Sequence, residues 1–129
     1  MKYETEKLLD VYRKYGIIIL GCDFDDTIFP LTDNSYIRNR CEKVIELIIS
    51  LRSVMKLCLY TTTNPQELKY KVHIMKNTMK LYPDYINESP IDFGGNAKPY
   101  FNILLDDKAG LNEAIEILEE FKKNYIKRI

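Results

Sequence analysis

The sequence predicts an α/β fold built on a parallel sheet, and three observations carry that reading. Apolar runs read as buried strands, stretches of helical periodicity alternate with them, and two of the runs, Ile17 to Cys22 and Tyr100 to Leu105, end directly in aspartates. Alternating strands and helices make βαβ units, whose right-handed crossovers bring every strand's carboxyl end to one edge. Ligands of open α/β sheets bind at that edge, so an aspartate there is placed for chemistry rather than packing.

Each element has its own signal. From about Tyr3 to Tyr15, Leu8, Val11, Tyr12 and Tyr15 recur at helical spacing, and Gly16 supplies a C-terminal cap. The first strand follows. Beyond its aspartate loop, Ile37, Cys41, Val44, Ile45, Ile48 and Leu51 mark an amphipathic helix from about Ser35 to Arg52. Met55 to Tyr60 is the second strand. Asn64-Pro65 gives a cap followed by proline at the first helical position, and Leu68, Val72, Met75 and Met79 carry a third helix to about Leu81. Pro83 breaks it. Tyr85 to Ser89 is a short strand candidate, Pro90 to Pro99 a loop, and Tyr100 to Leu105 the fourth strand. A last helix from about Lys108 is marked by Leu111, Ala114, Ile115, Leu118, Phe121 and Tyr125.

Composition narrows the function classes. At 129 residues the chain suits one domain, with room for a proper core and no second folded unit. Lys and Arg number 19 against 19 Asp and Glu, so no global field draws polyanions. The basic cluster Lys122, Lys123, Lys127 and Arg128 reads as a solvated helix end that complements its dipole. Cys22, Cys41 and Cys58 are odd in number and unpaired in spacing, which points to small buried side chains in a reducing cytoplasm. No signal peptide is evident, and no apolar run approaches a membrane span. His73 is the single histidine and reads as a surface or helix-packing residue rather than a catalytic one.

The chemistry rests on the acids. Asp23 and Asp25 leave the first strand, Asp106 and Asp107 leave the last, and if those strands are parallel neighbours the carboxylates converge. Convergent carboxylates repel unless a cation sits among them. Hard oxygen ligands suit Mg²⁺, so the residues themselves indicate a magnesium site at a sheet edge.

The run Asp23-Phe24-Asp25-Asp26-Thr27 after a hydrophobic strand, Thr61 after a second, an upstream lysine, and Asp106-Asp107 after a later strand resemble, in that order, the motifs of the haloacid dehalogenase superfamily. The resemblance spans Ile17 to about Lys108. It implies a Rossmann-like three-layer αβα core with a short parallel sheet. No cap domain fits between the motifs, and four strands are expected rather than the five common in the family. It also implies a phosphatase. Asp23 matches the nucleophile that forms an aspartyl-phosphate, and Asp25 the general acid and base. Thr61 matches the hydroxyl that grips the phosphate, and its neighbour Thr62 is the next choice. Lys98 is the chosen cation, with Lys71, Lys76 and Lys80 as rivals on the third helix. Mg²⁺ would be held by the Asp23 carboxylate, the backbone carbonyl of Asp25 and Asp106, with Asp107 binding directly or through water.

Asp26 and Thr27 read differently. Asp26 serves the local turn, and Thr27 orients Asp25 or the loop. An open site implies a large substrate or closure by another subunit, so a nucleotide, a nucleic-acid end or a phosphoprotein all fit. Phe29, Tyr36, Phe93 and Tyr100 are candidate aromatics for the rim. The alternative from another class is a regulatory module that binds phosphate and Mg²⁺ without turnover.

Overall fold

Five consecutive apolar or small residues, Ile18–Cys22, form β1, and all five are buried because the strand has a parallel neighbour on each side. The computed structural model describes residues 1–88 and 100–126. Within them the order is α1 (Tyr3–Tyr15), β1, α2 (Ser35–Leu51), a 3₁₀ turn (Arg52–Val54), β2 (Met55–Leu59), α3 (Pro65–Ile74), a π-helical turn (Met75–Met79), β3 (Tyr85–Ile86), β4 (Ile103–Leu105) and α4 (Leu111–Asn124). The strands run parallel in the order β3-β2-β1-β4. The chain is therefore α/β, with β1 and β4 as the expected neighbours.

Register decides which side chains share a face. Leu20 stands opposite Leu57 and Ile103, so Ile18, Leu20, Cys22, Met55, Leu57, Leu59, Ile103 and Leu105 point the same way. All eight belong to one core with α1, α2 and α4. Successive right-handed crossovers in one direction place α2 and α3 on a common face. Helix α4 lies between α1 and α2, joined to the first by Thr5 Oγ1 donating to Glu120 (2.6 Å) and to the second by the Lys43–Glu119 ion pair (3.3 Å).

The other sheet face is built differently. Ile19 and Cys58 are buried there but stand outside that core. Among the described residues no helix covers this face, so the three-layer expectation is met on one side only. Phe101 folds its ring over Gly21, where a Cβ would lie 2.5 Å from the ring's Cδ2. We expect Gly21→Ala to lower unfolding free energy by about 2 kcal/mol in urea titrations, as overpacking does. A Phe101→Leu background should recover part of that loss, since the two side chains compete for one space.

Element boundaries shift where local chemistry intervenes. The third helix extends only to Ile74 as an α-helix and continues as a π-helical turn, closed where Lys80 turns left-handed (φ 58°) and Leu81 N–H donates to Met75 O. β3 is two residues long. The Asp84 carboxylate, bound by Arg52 (3.1 Å), accepts the Leu57 amide at 2.8 Å and so pins the entry to β3. α4 starts at Leu111 rather than Lys108 because Asp106 to Gly110 form a turn, with Gly110 at φ 71°.

Candidate functional site

Asp23 is the first residue past β1 and is fixed from both sides. Its amide donates to Leu105 O of β4 (2.9 Å), while the carbonyl just before it, Cys22 O, accepts the Tyr60 amide at the end of β2 (2.8 Å). The chain then turns sharply. Phe24 O accepts the amides of Thr27, Ile28 and Phe29, and the Phe24 and Phe29 rings stack at 5.3 Å. Asp26 takes a left-handed backbone (φ 58°), a conformation aspartate tolerates better than most residues. Both its carboxylate oxygens are used by Thr32, from the amide at 2.8 Å and the hydroxyl at 2.6 Å. That hydroxyl, with the amide, holds the Asp26 carboxyl below its ordinary value. Asp26 thus serves the loop. Of the two roles expected for Thr27 the contacts fit the second: it is fully buried, and its hydroxyl accepts the Asp107 amide (3.0 Å), which ties the first aspartate loop to the last.

The second acidic loop is shaped by Asp106 itself, whose carboxylate accepts the Lys108 amide (3.0 Å) and whose carbonyl accepts the Ala109 amide (3.0 Å). Parallel pairing of β1 and β4 brings the two loops together. Asp23, Asp106 and Asp107 can each offer an oxygen with all three atoms within 4.8 Å of one another. Burial pushes the Asp23 carboxyl up to about 6, and the charges of Asp106, Asp107 and Asp25 add to it against the lowering by the Phe24 amide. Three hard oxygen donors that disfavour one another's charge fit a divalent cation.

Asp25 points elsewhere. Its Oδ2 is 3.3 Å from Lys71 Nζ, and the same ammonium donates to Thr61 Oγ1 at 3.2 Å and lies 5.4 Å from the Phe24 ring centroid. Lys71 is only 9% exposed although it is a lysine on α3. The helix is aimed by Asn64, whose side chain accepts the Glu67 amide (2.9 Å) ahead of Pro65. Thr61 is buried, and its amide donates to the Asn87 side chain (2.8 Å); Asn87, left-handed at φ 53°, anchors itself through Leu59 O.

Asp23, Asp25, Thr61, Thr62, Asp106 and Asp107 line one polar cleft of ≈ 320 Å³. Six of the seven residues chosen from the sequence meet there. Lys98, the seventh, lies outside the described residues, as does Phe93. Of the rivals to Lys98, Lys71 reaches the site, whereas Lys76 and Lys80 are exposed. The signal for Lys71 was available: it shares a helical face with Leu68 and Met75, and a charge on an apolar stripe needs a buried partner. Asn87, Lys108 and Leu31 were missed, the last two being further lining residues. Phe29 and Tyr36 are occupied otherwise, Phe29 against Phe24 and the Tyr36 hydroxyl as acceptor for Asn112.

Among the described residues no helix is long and apolar enough to cross a membrane. Comparison with the models of known families, with curated proteins and with solved structures finds no match to this chain.

Proposed function

We propose that the chain is a Mg²⁺-dependent phosphomonoester hydrolase of the haloacid dehalogenase type, a capless Rossmann-like core that works through an aspartyl-phosphate. One observation carries this reading: the Asp23, Asp106 and Asp107 carboxylates gather at the same sheet edge where Asp25, Lys71 and Thr61 are already joined.

Asp23 attacks phosphorus in line, forming an Asp23 oxygen–phosphorus bond as the bond to the leaving oxygen breaks. Asp25 gives that oxygen its proton. Water then attacks the phosphorus of the aspartyl-phosphate, Asp25 takes the water's proton, and Asp23 is released with inorganic phosphate. Thr61 Oγ1 and Lys71 Nζ, 3.2 Å apart, are placed to hold the non-reacting phosphoryl oxygens, with Thr62 exposed beside them. Lys98 stays a candidate for the same task. Asp23, the Asp25 carbonyl, Asp106 and Asp107 would hold Mg²⁺, which when bound would supply positive charge to offset repulsion between nucleophile and phosphate.

Among the described residues the cleft is lined by the loops that follow β1, β2 and β4, with no inserted domain among them, which supports a large or nucleotide-type substrate, or closure by another subunit. Three buried free cysteines suit a cytoplasmic setting. The test is phosphate release from an aryl phosphate, nucleotides, sugar phosphates and 3′-phosphorylated oligonucleotides, with Mg²⁺ or EDTA. Turnover that disappears in EDTA is expected. Magnesium binding with silence across the panel would favour the regulatory module instead.

A further inference from the structure

Arg40 on α2 contacts the loop after β1 and the first turn of α4, which directly follows the loop after β4. Its Nη2 lies 3.5 Å from the carbonyl of Asp26, in the loop after β1, and its Nη1 donates to the Asn112 side chain (3.3 Å), at the start of α4 just past the loop after β4. Tyr36 completes the arrangement. Its ring lies 5.4 Å from the guanidinium carbon, and its hydroxyl accepts from Asn112 at 2.9 Å. The Arg40 Nε is buried and has no hydrogen-bond partner among the described residues. A donor left unsatisfied out of water is unfavourable, so the guanidinium is held where its two ends require rather than where its own pairing is best. Thr27, through the Asp107 amide, is the one other side chain described above that joins these loops.

We infer that Arg40 is a positioning residue that sets the separation of the two loops, and thereby the spacing of Asp23, Asp106 and Asp107. This rests on the magnesium reading of that cluster. Mg²⁺ demands near-ideal octahedral geometry at short distances, whereas Ca²⁺ accepts longer bonds and irregular shells. A guanidinium that fixes loop spacing therefore favours the smaller ion. Lysine cannot substitute, because a point charge on a flexible stem does not span two acceptors on opposite sides.

The experiment is calorimetric titration of the metal-free chain with Mg²⁺ alone and with Ca²⁺ alone, for wild type, Arg40→Met, Arg40→Lys and Asn112→Ala. Arg40→Met should weaken Mg²⁺ binding about tenfold, in the range seen when groups behind a metal's ligands are removed, while Ca²⁺ binding changes clearly less. Arg40→Lys should not recover the difference, and Asn112→Ala should move the Mg²⁺/Ca²⁺ ratio the same way by a smaller step. Should Arg40→Met fail to fold, Asn112→Ala decides alone. An unchanged ratio in the folded variants overturns the role of Arg40 and leaves the magnesium reading intact. A wild type that binds neither ion overturns both.

Discussion

Replacing Asp23 by Asn is expected to abolish turnover, by about four orders of magnitude or more, and at the same time to make the metal-free protein more stable at neutral pH. The amide keeps the shape of the carboxylate but cannot attack phosphorus. It also removes one of three converging charges. Burial and the neighbouring acids raise the Asp23 carboxyl from 3.8 to about 6, so between those values the folded chain holds a proton that the unfolded chain has released. Its contribution is therefore fully present below pH 4 and is lost as pH rises through 6. In thermal scans without divalent ions, wild type should lose stability over that window and Asp23→Asn should lose less. Mg²⁺ should restore the wild type at pH 7, since a ligand of the folded state stabilises it by mass action. A variant with near-normal turnover would show that Asp23 is not the nucleophile.

Lys71→Met should lower kcat by about 10² to 10³, the usual effect of removing one donor aimed at developing charge, while stability changes little. Methionine preserves the buried stem and deletes only the ammonium. Asp25 then loses its cation, but its side chain is 43% exposed and water replaces the partner. The loss should fall on kcat and on inhibition by phosphate more than on Tm. Lys98→Met is the matched comparison: full activity in Lys71→Met with a collapse in Lys98→Met would transfer the phosphoryl contact to Lys98.

Much of this arrangement could be read from residue order because it depends on short-range rules. An apolar run that ends in aspartate places that aspartate at a strand end, and parallel crossovers do the rest, so Asp23, Asp25, Thr61, Asp106 and Asp107 reach one cleft. Less legible were features set by contacts between distant segments. Thr27 reads from sequence as orienting Asp25 or its own loop, and nothing local shows that its hydroxyl binds an amide 80 positions away. Asn87 supports Thr61 only because the left-handed turn after β3 aims it there, which no periodicity announces. β4 is shorter than its apolar run because Phe101 leaves the strand to cover Gly21, a complementarity visible only in three dimensions.

The pairing of β1 with β4 also fixes when the site can exist. β2 and β3 join the sheet through connections within the first 88 residues, whereas one edge of β1 stays open until residues 103–105 arrive. During synthesis the fully buried β1 therefore emerges early and waits, with an unpaired row of backbone groups, for a partner made more than 80 residues later. Closing so long a loop is slow compared with local helix formation, which places the gathering of the carboxylates among the last steps of folding. A nascent chain released before β4 would carry Asp23 and Asp25 without Asp106 and Asp107, and so would hold one carboxylate of the cluster without the other two.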